Sequence, residues 1–342
     1  MAKEKLYGKT LDDLSALAKA ASLPSYAAKQ IAGWLYRRGA PEISGMTDLS
    51  LSARTLLEKD YETGLTPPSS VATGSDGTKK YLFPVSSNRF IETAYIPDRD
   101  RATVCLSVQS GCRMGCRFCM TARQGFQGNL TTNEILNQFR SLPEHALLTN
   151  IVYMGMGEPL DNLDEVLRSL RILTSEWGYG WSPTRITVST IGIIDRIQTY
   201  LEETKCHLAV SLHSPFDEER QALMPVQKAH PLKEVLDTIR GFDFGRQRRV
   251  SFEYIVFRGL NDTPAHVKEI ARILNGIRCR INLIRFHSIP GSEYSSPGRQ
   301  EMEAFRDSLN ARGMTATIRA SRGEDIGAAC GLLSTLEQNK NK

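Results

Sequence analysis

Apolar and polar positions over residues 1–65 follow the spacing of amphipathic helices. Leu11–Ala21 is apolar on one face, and Ser25–Arg38 repeats the same pattern. A third, shorter helix is expected over Ser52–Lys59. We therefore predict a helical domain at the N-terminus, which would serve as an accessory to whatever follows it.

Residues 66–100 have the composition of a linker followed by a short β segment. The run that starts at Thr66 contains two prolines and two serines, which is typical of a connection between domains. Asp76 and Gly77 are typical of a tight turn between two strands. The strands expected in this segment are Ser70–Thr73, Lys80–Phe83 and Phe90–Ile96.

From residue 101 onward, short apolar runs alternate with amphipathic segments, which is the pattern of repeated βα units. Such units build a parallel sheet, closed or open, and Thr131 with Glu134 predicts the capping box of one helix. The predicted strands are Thr103–Gln109, Asn150–Met154, Arg185–Ser189, His207–Leu212, Val250–Phe257, Cys279–Phe286 and Thr315–Ala320. We predict an α/β fold, with a partial (β/α) barrel over residues 101–334 and a polar tail over residues 335–342.

Composition narrows the class of protein. The chain has 342 residues, 41% hydrophobic and 24% charged, as in ordinary globular proteins. It has no apolar run that could cross a membrane and no signal-peptide core at its start, so we expect a cytoplasmic protein. A net charge of +5 allows contact with a polyanion without requiring it. Seven cysteines then favour metal binding or catalysis over a disulfide framework.

Three cysteines, Cys112, Cys116 and Cys119, form a Cys-x3-Cys-x2-Cys triad, with Phe118 before the third. Thiolates are the ligands of iron–sulfur clusters, and three of them leave one iron of a four-iron cluster open. An open iron can chelate S-adenosylmethionine (SAM) and pass it an electron, which releases a radical that takes hydrogen from carbon. The alternatives are a structural zinc site, for which the sequence lacks a second cysteine pair, and three unrelated buried cysteines.

Polar residues also follow several of the other predicted strands, and α/β barrels gather their chemistry at the C-terminal ends of strands. Taken singly, each has a plainer interpretation: Gly157 in a tight turn, Ser189 as a helix cap, the histidines as satisfied core or loop residues. Glu158 would lie close enough to the cluster to bind the ammonium group of SAM. The candidates chosen by position are Gly157, Glu158, Ser189, Ser211, Leu212, His213 and His287.

Several runs together resemble a known family over nearly the whole chain. They are Cys112-Arg-Met-Gly-Cys116-Arg-Phe-Cys119, Gly155-Met-Gly-Glu-Pro159, Arg185-Ile-Thr-Val-Ser-Thr190, Ser211-Leu-His213 and the run from Arg319 to Cys330. The sequence resembles the RlmN/Cfr family of radical SAM RNA methyltransferases. Members of that family methylate an adenosine of 23S ribosomal RNA at C2 or, in the Cfr branch, at C8. The likeness favours the C2 branch, which also methylates tRNA, with C8 methylation as the alternative.

The resemblance implies a role for each matching residue. The cysteine triad would hold one 4Fe–4S cluster per chain, and the candidates from Gly157 to His213 would line the SAM site. Cys330 would carry a methyl group as S-methylcysteine, Cys105 would be its partner thiol, and Glu92 would be a general base. His287 stands where relatives often have asparagine, so its hydrogen bond to the ribose of SAM is a departure from the family.

In the route that the resemblance implies, two molecules of SAM are consumed for each methylation. One methylates Cys330, and the other yields the radical that takes hydrogen from that methyl group. The methylene radical then adds to the adenine, and Cys105 attacks the sulfur to release the product, leaving a Cys105–Cys330 disulfide. Without the resemblance, both cysteines would be interpreted as packing residues, as Cys206 and Cys279 are.

The partners that the resemblance implies are 23S ribosomal RNA, tRNA and an electron donor such as flavodoxin or ferredoxin. We expect a monomer. The basic residues expected to contact RNA near the mouth of the barrel or on the N-terminal helices are Arg246, Arg248, Arg249, Arg319, Arg322, Lys29, Arg37 and Arg38. Two other functions stay open: a radical activase acting on a protein or small molecule, and a non-enzymatic iron–sulfur or zinc module that binds RNA.

Overall fold

The computed structural model describes residues 3–335, so the predicted tail over residues 335–342 lies almost entirely outside the described residues. The N-terminal region contains the helices that the periodicity predicted, the second of which continues as a π-helix over Gly33–Arg38. Its elements are β1 (Glu4–Lys5), α1 (Leu11–Ala20), α2 (Ala27–Ala32), α3 (Leu51–Asp60) and β2 (Tyr61–Glu62). Helix α1 begins at Thr10, whose side chain forms a capping box with Asp13.

A ten-stranded mixed sheet forms the centre of the molecule. Its antiparallel side is β3 (Ser70–Thr73), β4 (Lys79–Val85) and β5 (Arg89–Asp98), and β5 pairs antiparallel with β6 (Arg101–Cys105). After the hairpin of β7 (Gln109–Ser110) and β8 (Gly128–Asn129), the parallel strands are β9 (Asn150–Tyr153), β10 (Ile186–Thr190), β11 (His207–Ser211), β12 (Val250–Val256), β13 (Cys279–Arg285) and β14 (Ala316–Ile318). Strands β6 and β9 to β14 lie side by side in chain order, and the edge strands β3 and β14 do not pair with each other among the described residues. The predicted partial barrel is therefore confirmed, and the β segment extends its sheet.

The helices of residues 101–335 lie in the connections between the strands. They are α4 (Met120–Gln124), α5 (Thr132–Arg140), α6 (Leu163–Thr174), α7 (Ile194–Glu203), α8 (Asp217–Leu223), α9 (Leu232–Arg240), α10 (Pro264–Ile273) and α11 (Arg299–Asn310). The capping box predicted for Thr131 and Glu134 is present at the start of α5. Within the described residues, no helix is both long and apolar enough to cross a membrane.

The N-terminal helices share one apolar core with the barrel. Asn133 of α5 donates hydrogen bonds to the carbonyl oxygens of Tyr7 and Gly64, each over 3.0 Å, so it fastens both ends of the N-terminal region to the barrel. Gly8 has φ +95°, and a Cβ atom there would lie 2.6 Å from the backbone nitrogen of Asn133. This close approach requires glycine. The apolar core therefore runs across the domain boundary that we predicted at residue 65.

Two sequence-based expectations were wrong. Strand β6 ends at Cys105 rather than at Gln109, because the side-chain amide of Gln138 accepts a hydrogen bond from Ser107 N and donates one to Ser107 O, both over 2.8 Å. The other predicted strands lie within two residues of the observed bounds. The run Arg246–Arg249 precedes β12, so it lies at the N-terminal ends of the parallel strands and not at the mouth.

Candidate active site

The cysteine triad lies in the loop between β7 and α4, within the connection that leads from β7 to β8. Cys112 and Cys116 are buried, and Cys119 is half-buried at the N-cap of α4, where its N–H donates to Cys116 O over 3.2 Å. Gly111 has φ +70°, and a Cβ atom there would lie 1.6 Å from the carbonyl oxygen of Gly125. The loop therefore depends on a glycine directly before the first cysteine.

The electrostatics of the triad fit a cationic cluster. Burial raises the pKa of the Cys112 thiol to about 12 and that of Cys116 well above its ordinary value, and the neighbouring cysteines and Glu158 add to both increases. Three thiolates this close together need a positive centre to be stable. Among residues 3–335, no group of three histidine, cysteine or carboxylate side chains converges as the ligands of a single metal ion do. Three thiolates are a donor set that fits a four-iron cluster with one iron left open.

A cavity of about 250 Å³ opens beside this loop, at the C-terminal ends of the parallel strands. It brings together nearly all the residues that the sequence selected from separate strands. Those that line it are Cys105, Cys112, Cys116, Cys119, Gly157, Glu158, Ser189, Ser211, His213, His287 and Cys330. Two selected residues are not among those that line the cavity. Leu212 is fully buried in the apolar core, and Glu92 is buried on strand β5.

Gly157 and Glu158 occupy the turn after β9. Gly157 has φ +99°, and a Cβ atom there would lie 2.5 Å from Cβ of Gln109, so only glycine fits. The Glu158 carboxylate accepts hydrogen bonds from Thr190 Oγ1 and from the N–H groups of Leu160 and Ile191. Burial raises the pKa of Glu158 to about 7 even though these hydrogen bonds oppose the increase. The side chain therefore fastens the end of β10 to the turn, and its carboxylate is already engaged.

Two histidines contribute their rings to the cavity. His213 has φ +55°, and its Nδ1 accepts a hydrogen bond from Ile255 N over 3.0 Å, so the ring proton lies on Nε2. Burial lowers the pKa of His213 to about 3, which keeps the ring uncharged at neutral pH. His287 is buried, and its Nδ1 lies 3.3 Å from a carboxylate oxygen of Glu324. Glu324 thereby links the end of β13 to the segment that carries Cys330.

Cys105 and Cys330 line the same cavity. Cys105 ends β6, whereas Cys330 lies on the C-terminal segment, which α4 holds through hydrogen bonds from Met120 N to Gly331 O and from Thr121 Oγ1 to Leu333 O. Burial raises the pKa of Cys105 to about 12, and the nearby Cys330 adds to the increase. Cys330 is exposed, and desolvation by the protein groups around its thiol acts to raise the pKa.

Arg319 opposes the increase in the pKa of both thiols. Its guanidinium lies 3.5 Å from the Glu253 carboxylate, which holds it beside them. All seven cysteines of the chain are free thiols in the structure, including these two.

Glu92 lies on β5 and is only 3% exposed. Its carboxylate pairs with Lys80 over 3.0 Å and accepts a hydrogen bond from Ser334 N over 2.9 Å. The C-terminal segment therefore covers the Glu92 carboxylate.

Sequence reasoning missed two buried polar residues that hold the cavity wall. Arg220 of α8 is fully buried and donates to the carbonyl oxygens of Ile191, Ser211 and Leu212 over 2.9, 3.0 and 3.2 Å. Asn261 donates to the carbonyl oxygens of His213 and Ile255. Arg220 also reaches Ile191, 29 residues away, and Asn261 reaches His213, 48 residues away, so no local pattern marks these two contacts.

Parallel strands that present a cysteine triad and a deep cavity at their C-terminal ends define the radical SAM class, and residues 106–274 match the Radical SAM superfamily. Residues 5–62 match the ribosomal RNA large subunit methyltransferase N-terminal domain. The chain belongs to the RlmN family of radical SAM RNA methyltransferases.

Among its relatives, the probable dual-specificity RNA methyltransferase RlmN of Parabacteroides distasonis is 56% identical, and the match covers 97% of each chain. The dual-specificity RNA methyltransferase RlmN of Syntrophus aciditrophicus is 43% identical over 95% of this chain and 94% of that protein. The crystal structure of a radical SAM methyltransferase from Sphaerobacter thermophilus superposes with a TM-score of 0.89 at 39% identity, covering 96% of this chain and 98% of that one.

Proposed function

We propose that this protein methylates C2 of an adenosine in 23S ribosomal RNA, and of one in tRNA, by way of S-methylated Cys330 and a transient protein–RNA adduct. One observation carries the proposal: the thiols of Cys105 and Cys330 share a cavity with the cysteine triad. When bound at Cys112, Cys116 and Cys119, a 4Fe–4S cluster with SAM would supply a radical able to take hydrogen from a methyl group.

The residues of this chain would hold SAM between the cysteine loop and the strand ends. The backbone turn at Gly157 allows a ligand to approach closely, and Ser189 and Ser211 end their strands at the cavity. His213 would donate a hydrogen bond from Nε2, because its Nδ1 is occupied by Ile255 N. His287 would donate or accept at Nε2, while the Glu324 carboxylate lies 3.3 Å from its Nδ1.

Cys330 would accept the methyl group as a thiolate, which is the nucleophilic form of the side chain. The positive charge of Arg319 favours that form, and Arg319 likewise favours the thiolate of Cys105. After the methyl carbon has joined the adenine, Cys105 would attack the sulfur of Cys330. A Cys105–Cys330 disulfide would form as the carbon–sulfur bond to the RNA breaks, and the carbon would keep the electron pair of that bond and take up a proton to become the methyl group. Glu92 would take the proton from C2 once the segment around Ser334 shifts away from its carboxylate.

The remaining parts of the proposal concern partners. RNA would enter over the mouth of the barrel, with residues 1–65 as its accessory domain. Lys29 of this domain is exposed and available for contact with RNA. Arg38 of the same domain pairs with Asp48, and Arg322 of the barrel pairs with Asp98. We infer a cytoplasmic monomer that receives electrons from a flavodoxin or ferredoxin.

The test is a pair of single variants assayed anaerobically with SAM, reductant and an RNA hairpin that contains the target adenosine. Cys105→Ala should methylate Cys330, attack the adenine and stall, because no thiol can reach the sulfur that holds the RNA. The stalled species should migrate on a denaturing gel as protein joined to RNA, and thiol reductants should not cleave it. Cys330→Ala should give neither adduct nor methylated RNA. Cys206→Ala, a buried thiol far from the cavity, is the matched control.

Three results would contradict the proposal. They are an adduct formed by Cys330→Ala, sustained turnover by Cys105→Ala, and a product methylated at C8.

A further inference from the structure

A second, larger cavity of about 730 Å³ lies at the opposite end of the barrel from the cysteine loop. The chain segments that precede β10, β12 and β14 and the first residues of β11 and β13 form its wall. Because parallel strands all begin at the same edge of the sheet, these five segments meet there. We call this space the arginine cavity, because five arginines line it. They are Arg246, Arg248, Arg249, Arg278 and Arg280.

The positive charge of the arginine cavity is not balanced by acidic side chains in its lining. Its lining contains no aspartate or glutamate, and none of its five arginines forms an ion pair within residues 3–335. Several exposed arginines elsewhere are paired, as Arg272 is with Glu269 and Arg299 with Glu303. Five guanidinium groups around one cavity repel one another, so the arrangement favours an anion as occupant.

One arginine of the cavity is held rigidly. The side chain of Arg248 donates to the carbonyl oxygens of Cys206 and Leu201 over 2.9 and 2.7 Å. It also lies 5.4 Å from the ring centroids of Tyr200 and Phe242. Its remaining nitrogen, Nη2, is buried and has no hydrogen-bond partner among the described residues. Arg248 therefore contributes a fixed positive charge to the wall of the cavity, and the exposed arginines around it supply the donors that an anion can reach.

We propose that the arginine cavity binds the phosphate backbone of the RNA substrate at a place remote from the methylated adenosine, an inference that rests on the proposed function. Guanidinium forks match phosphate oxygens in geometry and charge, and Ser182, Thr184 and Thr315 add hydroxyl donors to the same lining. The seven-residue strand β12 separates the two ends of the barrel by about 20 Å at ~3.3 Å per residue. Only an RNA longer than the modified loop can therefore reach both sites.

The experiment compares two RNAs and two triple variants of the full-length, reconstituted protein. The RNAs are a short hairpin with the target adenosine and a full-length 23S ribosomal RNA transcript. One variant combines Arg246→Gln, Arg249→Gln and Arg280→Gln, all exposed residues of the arginine cavity. The control combines Arg272→Gln, Arg299→Gln and Arg306→Gln, which removes the same charge from arginines paired with carboxylates. Affinity for each RNA is measured by filter binding over a range of salt concentrations.

The cavity variant should bind the long RNA at least about tenfold more weakly, and its slope of log affinity against log salt should fall by about one for each lost phosphate contact. Its affinity for the hairpin and its methylation of the hairpin should match those of the wild-type protein, and the control should change neither. Unchanged affinity for the long RNA would overturn the proposal, as would an equal loss for both RNAs. Binding of polyglutamate that only the cavity variant loses, with RNA affinity intact, would assign the cavity to an acidic protein and also overturn it.

A failure of the proposed function gives a different result. In that case the wild-type protein would methylate neither RNA, while the comparison of affinities between long and short RNA would still report on the arginine cavity.

Discussion

Arg220 offers a sharp test of how the active-site wall is built. Its side chain is fully buried, with no ion-pair partner among the described residues. Burial lowers the pKa of Arg220 to about 10, so the guanidinium is still charged at neutral pH. It donates to three backbone carbonyl groups, those of Ile191, Ser211 and Leu212, and also to Gln227 Oε1. The perturbation is Arg220→Met, which keeps the apolar stem and removes every donor.

The magnitude follows from those contacts. A buried carbonyl group left without its donor costs about 1–3 kcal/mol, so three of them would cost about 3 kcal/mol at the low end. Removing a buried charge recovers part of its desolvation cost. We therefore expect the free energy of unfolding to fall by about 2–4 kcal/mol, which a chain of ordinary stability survives.

Binding should fall together with stability, because Ile191 and Ser211 line the cavity. Loosening these residues should weaken SAM binding by about tenfold, which corresponds to ~1.4 kcal/mol. Urea denaturation followed by circular dichroism measures the free energy of unfolding, and anaerobic calorimetry with the reconstituted protein measures the affinity for SAM.

Two further variants complete the test. Arg220→Lys, which keeps the charge and loses the fork, should recover only part of both quantities. Arg171→Met removes a surface arginine that pairs with Asp12 and should change unfolding by less than about 0.5 kcal/mol. A loss below about 1 kcal/mol in Arg220→Met, with SAM affinity unchanged, would refute the view that Arg220 holds the wall.

Two other predictions concern groups in the same cavity. Burial raises the pKa of Glu158 from 4.5 to about 7, so the carboxyl group ionises at lower pH in the unfolded chain than in the folded one. The free energy of unfolding of the wild-type protein should therefore fall by up to about 3 kcal/mol between about pH 5 and pH 8. Glu158→Gln should not show this loss. Equal pH slopes for the two proteins, measured by urea denaturation, would contradict the raised pKa. Cys116→Ala should lose the brown colour and the roughly four irons expected per chain on anaerobic reconstitution, whereas Cys206→Ala should keep both, and iron analysis decides between them.

The sequence alone determined the class of fold and most of the cavity. The pattern of apolar and polar residues located the barrel strands, because short apolar runs that alternate with amphipathic segments are a local property of the chain. The cysteine spacing is local as well, so the triad is recognisable from the order of the residues alone. Residues such as Ser211 and His287 were found by a single rule, that the C-terminal ends of parallel strands share one edge.

Only the tertiary structure decided which residues support that cavity and which do not reach it. Arg220 and Asn261 act on loops from other parts of the chain, and Glu92 is covered by the segment around Ser334. The run Arg246–Arg249 was expected at the mouth, yet it precedes its strand and lies at the other end of the barrel. The physical reason is common to all of them. Local patterns specify how a segment folds, whereas contacts between distant segments depend on how the segments pack against one another.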